Sequence, residues 1–266
     1  MLRALAPWPR EVARLELLDR PGAPSAELAE SLADIGRLNR LGPTRTLLAH
    51  VAPFLDRFAR DGHRRPFRIV DLGTGGGDIP VALVHWARAR GARISVLALD
   101  VQPGVLACVA PTARGLPEVR LVAADAVHPP VRPAGVDLAL CSLTLHHLPE
   151  PAVIALLRLM TEVGRLGFVV SDLRRSRRAW LAAWIATRLI SRNRITRHDG
   201  PLSVRRAYTR DELAALSARA GLPQIRWHRA PFFRVIGVYD GQPPSGGRPP
   251  GGGVQGGSGW DSPPDG

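Results

Sequence analysis

The chain has no lysine; its 36 basic residues are all arginine, and its formal net charge is +13. Such uniform arginine usage has the look of GC-rich codon bias, which weakens the usual step from basic charge to nucleic acid. Arginine remains the better side chain for two-point grip on carboxylate or phosphate. Cysteine is nearly absent. Cys108 and Cys141 are too few for a disulfide framework and lack metal-ligand spacing, which points to a reduced, cytoplasmic chain. No run of about 18 apolar residues is present, so no spanning helix is expected. Residues 1–10 lack the apolar stretch of a secretory leader and read as mature protein. What is present suffices for a core: 266 residues, 45% of them hydrophobic, suit one α/β domain with additions.

The chain turns on Val70-Asp71-Leu72-Gly73-Thr74-Gly75-Gly76-Gly77-Asp78. Phe67 to Leu72 read as a buried strand, strand one, and Ile79, Leu83 and Trp86 then recur at helical spacing. A strand, a glycine turn and a helix start bring backbone close to a ligand. The ligand differs from that of a dinucleotide fingerprint. The glycines run G-x-G-x-G, and Asp78 stands where the third glycine of G-x-G-x-x-G belongs. A carboxylate there competes with an anion for the helix N–H groups. Two flanking acids, Asp71 and Asp78, suit a cation, and S-adenosylmethionine (SAM) carries a sulfonium and an ammonium.

This D-x-G-x-G-x-G pattern resembles motif I of the class I SAM-dependent methyltransferases. Later segments extend the resemblance over residues 67–240. Strand two, Ile94 to Leu99, ends in Asp100, placed to accept from both ribose hydroxyls, with Val101 next. A simple turn acid is the plainer reading of Asp100. Strand three, Val119 to Ala123, leads into Ala124-Asp125-Ala126, which resembles the step that reaches the adenine. Strand four, Val136 to Cys141, continues through Ser142 into Leu145-His146-His147-Leu148, a run similar to motif IV of small-molecule methyltransferases. The resemblance implies a Rossmann-like α/β fold with a seven-stranded sheet, its last strand antiparallel. It implies SAM as cofactor, held by Asp71, Gly73, Thr74, Gly75, Gly77, Asp78, Asp100, Val101, Asp125, Ala126 and Ser142. The related enzymes act on quinones, phenols and polyketides, so the implied acceptor is a small molecule.

For the chemistry, a loop histidine near the methyl donor is a candidate base. His146, His147 and, beside Asp199, His198 are the candidates; packing or capping is the plainer reading of His146 and His147, and a turn before Gly200-Pro201 that of His198 and Asp199. Adjacent His146 and His147 cannot face one ion from a regular element, so no metal is expected. Strand five, Gly167 to Ser171, aims Asp172 and Arg174 at the acceptor side. Residues 174–208 form an arginine-rich insertion around an apolar helix, 179–190, bearing Trp180 and Trp184. We expect a lid over a lipophilic or aromatic acceptor; a dimer or core helix, or peripheral membrane contact, are its alternatives.

The flanks complete the domain plan. Residues 1–62 form an N-terminal helical cover, with helices expected at 11–18, from Ser25, and at 44–60; packing on the sheet edge is the alternative use. Residues 63–240 form the methyltransferase domain. It closes on a helix with a Thr209–Glu212 capping box and a hairpin through Ala230-Pro231. Residues 241–266, rich in Gly and Pro, form a disordered tail. Three other functions stay open. An RNA or protein methyltransferase would use the basic surface, but Cys141-Ser142-Leu143-Thr144 lacks the Pro-Pro-aromatic pattern of base methyltransferases and argues against nucleic acid. A SAM-binding interaction module would bind without turnover. An NAD(P) enzyme is opposed by Asp78.

Overall fold

The computed structural model describes residues 8–20 and 25–241. The tail from residue 242 lies outside them. Seven strands form one sheet in the order β3-β2-β1-β4-β5-β7-β6. These are β1 Phe67–Leu72, β2 Ile94–Asp100, β3 Val119–Ala123, β4 Val136–Ser142, β5 Gly164–Leu173, β6 Arg226–Ala230 and β7 Arg234–Asp240. β1 to β5 pair in parallel, and β7 runs antiparallel to both β5 and β6. This is the expected Rossmann-like methyltransferase sheet with an antiparallel strand inserted near one edge. β1 lies between β2 and β4, so the sheet order reverses at the tip of β1, where α/β sheets bind ligands.

Alternation along each strand splits the core into two layers. On one face Phe67, Ile69, Leu138 and Leu140 meet helices α2 Pro43–Arg60 and α3 Asp78–Arg88. On the other, Val70, Leu72 and Leu99 meet α5 Glu150–Val163 and α8 Arg210–Arg219. Full burial of such side chains stabilises by about 1.5–3 kcal/mol each. The Thr209–Glu212 capping box that starts α8 is formed in both directions.

The N-terminal cover divides its expected duties. Helix α1 Ser25–Arg40 packs Leu28 and Leu32 on Val105 of α4 Pro103–Ala113, above the strand tips. Helix α2 instead buries Leu47, Val51, Phe54 and Phe58 against the sheet. The helix expected at 11–18 is not formed. Residues 8–20 run as a strap whose backbone bonds outward. The Glu11 N–H donates to the Arg205 carbonyl (3.0 Å), and the Leu17 and Leu18 N–H groups donate to the Asp199 carboxylate (2.8 and 2.9 Å). These partners satisfy donors that a helix would have used internally.

The insertion is two helices, α6 Arg177–Ile190 and α7 Arg194–Arg206. Gly200-Pro201, read as following a turn, lies inside α7. Asn193 caps α7 by accepting from the Ile195 and Thr196 N–H groups. A Cβ at Gly200 would lie 2.5 Å from Thr187 Cγ2, so glycine there lets α6 and α7 approach. Two polar links bind the pair to the cover: Thr196 Oγ1 donates to Asp34 (2.9 Å), and the Asn193 amide to Glu30 (2.9 Å). No helix among the described residues is long and apolar enough to cross a membrane.

Candidate active site

One cavity of about 510 Å³ opens at the carboxyl ends of the strands. Its floor is the turn after β1. Gly73, Gly75 and Gly77 all have positive φ, which a side chain would strain. A Cβ at Gly75 meets nothing within 4 Å, so this backbone faces open space and its N–H donates to Asp100 Oδ2 (3.0 Å). Gly77 has another duty. It does not line the cavity, and a Cβ there would lie 2.4 Å from Val109 Cγ1, so it seats α4 against the start of α3.

The two acids of the turn differ. Asp78 accepts from the Asn39 amide (2.9 Å), and Asn39 in turn accepts from the buried Arg234 guanidinium (2.6 Å). Asp71 is fully enclosed, and neither of its oxygens has a hydrogen-bond partner. Burial pushes its pKa up to about 7, the Thr74 hydroxyl opposes the rise, and the charges of Asp78 and Asp100 add to it. A buried orphan carboxylate is costly to keep, and a cation would satisfy it.

Asp100 also accepts from the Gln102 N–H (3.0 Å), and its pKa is raised by burial against its two backbone hydrogen bonds. Asp125, about half-exposed, closes a turn by accepting from the Val127 N–H (3.0 Å) while lining the same cavity. Val101, Ala126 and Ser142 line it too, together with Gly73, Thr74 and Gly75. Of the residues expected at the cofactor, only Gly77 stands outside.

The other end of the cavity is built differently. Leu145–His147 form one 3-10 turn, and its tight geometry sets the His146 and His147 rings 4.2 Å apart. The reasoning that neighbouring histidines face apart holds for regular elements and fails here. His146 Nδ1 bonds Asp172 (2.7 Å), and His147 Nδ1 bonds Asp19 (2.8 Å). Burial draws the His147 pKa down, but the Asp19 hydrogen bond and the charges of Glu16, Asp19 and Asp172 lift it to about 9. Asp172 is buried, yet His146 and the Leu173 N–H hold its pKa below the usual range.

Several residues expected to meet the acceptor lie elsewhere. Asp172 sits behind His146 and does not line the cavity. Arg174 is outside, its Nε buried without a partner. Trp180 packs edge-on against Trp8, and Trp184 lies under the Arg188 guanidinium. Helix α6 turns Ala179, Ala182, Ala183 and Ala186 to the cavity instead, because its aromatic positions fall on another face of the helix. His198 bonds Asp199 (2.6 Å) outside the cavity, whereas Asp199 lines it. Sequence reasoning passed over Glu16, Asp19, Asn39, Thr144, Phe232, Phe233 and Arg234, all of which line the cavity. Glu16 and Asp19, acids flanking the apolar pair Leu17-Leu18, were the one visible signal.

The basic insertion is mostly engaged. Arg175 bonds the Trp8 and Ala207 carbonyls and Glu212, and Arg206 bonds the Arg14 and His147 carbonyls. Arg205 pairs with Glu11, and Arg194 with Glu27. Cys141 is buried in the core, and burial pushes its thiol pKa up, which removes it as a nucleophile.

Comparison with known proteins agrees with this architecture. Residues 69–167 match the model of a methyltransferase domain. No curated relative matches the chain by sequence. Human N-acetylserotonin methyltransferase, solved with SAM, superposes with a TM-score of 0.59 at 14% identity, over 82% of this chain and 57% of that one. The chain thus spans little more than half the length of the human enzyme. The plantazolicin methyltransferase BpumL, solved with SAH, gives 0.54 at 11% identity over 82% and 95% of the two chains. Its counterpart BamL, solved with SAH and a triazolic desmethylPZN analog, gives 0.53 at 13% identity over 79% of each. At such identities the likeness is one of fold.

The sheet order and the match over residues 69–167 give the chain the class I methyltransferase fold. Its cavity fits the chemistry of SAM, because the orphaned Asp71 carboxylate asks for a cation.

Proposed function

We propose that the chain transfers the methyl group of SAM to an oxygen or carbon atom of a small aromatic or lipophilic acceptor. The observation that carries this reading is the continuity of one cavity, carboxylate-lined at one end and walled at the other by alanines, leucines and the Phe232-Phe233 turn. A mainly apolar cavity of this size suits a small ligand better than a polymer. That the human and plantazolicin enzymes are methyltransferases of small molecules supports the same reading.

SAM, when bound, supplies a methyl group already activated by its sulfonium. The chain's tasks are positioning, exclusion of water and handling of one proton. Asp71 would pair with the SAM ammonium, Asp100 would accept from the ribose hydroxyls, and Asp125 would accept from the adenine amine. At the acceptor end Asp172, an anion, takes the Nδ1 proton of His146 as a hydrogen bond. That leaves Nε2 as the acceptor for a proton from a phenol or an activated ring carbon. Asp172 is thus a positioning residue and His146 the base.

The outward face of α6, with Leu181, Trp184, Ile185 and Leu189 exposed beside Arg188, suits a peripheral membrane contact that would deliver a lipophilic acceptor. The deciding experiment is incubation with labelled SAM and a lysate separated into lipid, small-molecule, RNA and protein fractions. Label is expected in the lipid or small-molecule fraction. Label confined to RNA or protein overturns the proposal, and SAM binding with no label anywhere favours an interaction module.

A further inference from the structure

We infer that Glu16, His146 and His147 form a site for one divalent transition-metal ion at the acceptor end of the cavity. The methyl-transfer reading does not require such an ion. Their free ligand atoms, one from each residue, lie within 4.8 Å of one another. His146 Nε2 is 3.7 Å from Glu16 Oε1, and His147 Nε2 is 3.9 Å from Glu16 Oε2. Both spacings are too long for hydrogen bonds. They fall in the range of atoms that share one ion at about 2.0–2.2 Å each.

A second observation points to the same ligand. Glu16 is 4% exposed, and its Oε1 accepts no hydrogen bond. The buried carboxylate turns Oε1 to His146 Nε2 and Oε2 to His147 Nε2 and is hydrogen-bonded to neither; with the Arg206 guanidinium no closer than 3.6 Å, it has room for a directly bound cation.

The second layer is already arranged. Metal-ligating histidines commonly donate their other ring N–H to a carboxylate, which fixes the tautomer and orients the ring. Here both do so: His146 Nδ1 to Asp172 and His147 Nδ1 to Asp19. The charge balance also fits. Glu16, Asp19 and Asp172 bring three negative charges, and Arg206, with Nε 3.6 Å from Glu16 Oε1, brings one positive. With neutral imidazoles the sum is −2, which a divalent ion cancels.

Two imidazoles and one carboxylate with open positions suit zinc, cobalt or iron(II) rather than magnesium or calcium. All three ligands line the cavity, so the open positions face the acceptor, and an oxygen of that molecule would complete the shell. The rival arrangement is two imidazolium cations that balance the same −2 with no ion. When the ion is bound, both Nε2 atoms are ligands and His146 is not a base; without it, the base role stands.

The test uses the full chain, stripped with a chelator and without SAM or acceptor, so its outcome is independent of methyl transfer. Zn²⁺ is titrated by calorimetry and Co²⁺ by visible absorption. The expected result is saturable one-to-one binding, with Co²⁺ ligand-field bands. Glu16→Gln should weaken it at least about a hundredfold, and Asp19→Asn, one layer out, about 10–100-fold. His228→Gln, at a distant histidine, should leave affinity unchanged. SAM titration of each variant reports whether the cofactor end is folded; if Glu16→Gln fails it, His147→Gln takes its place. Absence of one-to-one binding, or binding that Glu16→Gln or its replacement leaves within threefold of the parent, overturns the inference in favour of the imidazolium network.

Discussion

The two ends of the cavity are made by different means. The cofactor end is assembled from strand tips: Asp71, Asp100, Asp125 and Ser142 stand at or just past the ends of β1, β2, β3 and β4. The sheet register alone brings them together. The acceptor end is assembled from the strap, one 3-10 turn and the insertion, joined by bonds between residues 128 to 196 positions apart. The first end is set by the sheet, whereas the second depends on segments outside it. Chemistry common to a fold can be written into its scaffold, but choice of acceptor needs parts that vary independently of it.

This contrast can be broken at either end. The largest effect is expected from His146→Asn, which should lower kcat by about 10²–10⁴-fold and leave SAM affinity within a few-fold, as single-turnover kinetics and calorimetry would show. Equal losses in both would mean that the two ends are not separable. Asp71→Asn should weaken SAM by about 10²-fold or more, since a desolvated charge pair is lost. It should also stabilise the unliganded protein at pH 8 in denaturant melts. The sign follows from linkage. Asp71 titrates near 7 when folded and near 3.8 when unfolded. Its ionisation therefore costs nothing below the unfolded value and costs folding progressively more as pH rises towards 7, reaching about 4 kcal/mol.

Asp100→Ala should cost about tenfold or more in SAM affinity, and unchanged affinity would remove it from the ribose. SAM affinity of the parent should fall by up to about tenfold per unit as pH drops below 7, because Asp71 must lose its proton to pair with the ammonium. The smallest effect is expected from Trp184→Ala. With a soluble acceptor it should change kcat/KM by less than about twofold, because the side chain is outside the cavity, while lowering co-sedimentation with anionic lipid vesicles.

The same contrast governs what could be read in advance. β1 and β3 were legible to the residue, because an alternating or continuous apolar run bounded by turns has few other uses. The turn at residues 71–78 was legible because positive-φ glycines leave a mark in sequence. The strap was misread as helix. Its Leu15, Leu17 and Leu18 look periodic, and nothing local says that its N–H groups will find Asp199, some 180 residues on. His146 and His147 were expected to face apart by a rule for regular elements, and a three-residue 3-10 turn brings their rings together. The helix at 179–190 was recognised, but its cavity face was not. Small alanines carry no signal of their own, and the tryptophans that do carry one belong to the other side.

The strap has a consequence for how the molecule is made. Residues 10–19 are synthesised well before residues 199, 205 and 206, to which they bond. The strands that hold the cofactor can pair while synthesis continues, whereas the acceptor end has to wait for α7. In order of synthesis, the strand tips come first and the far wall of the cavity last.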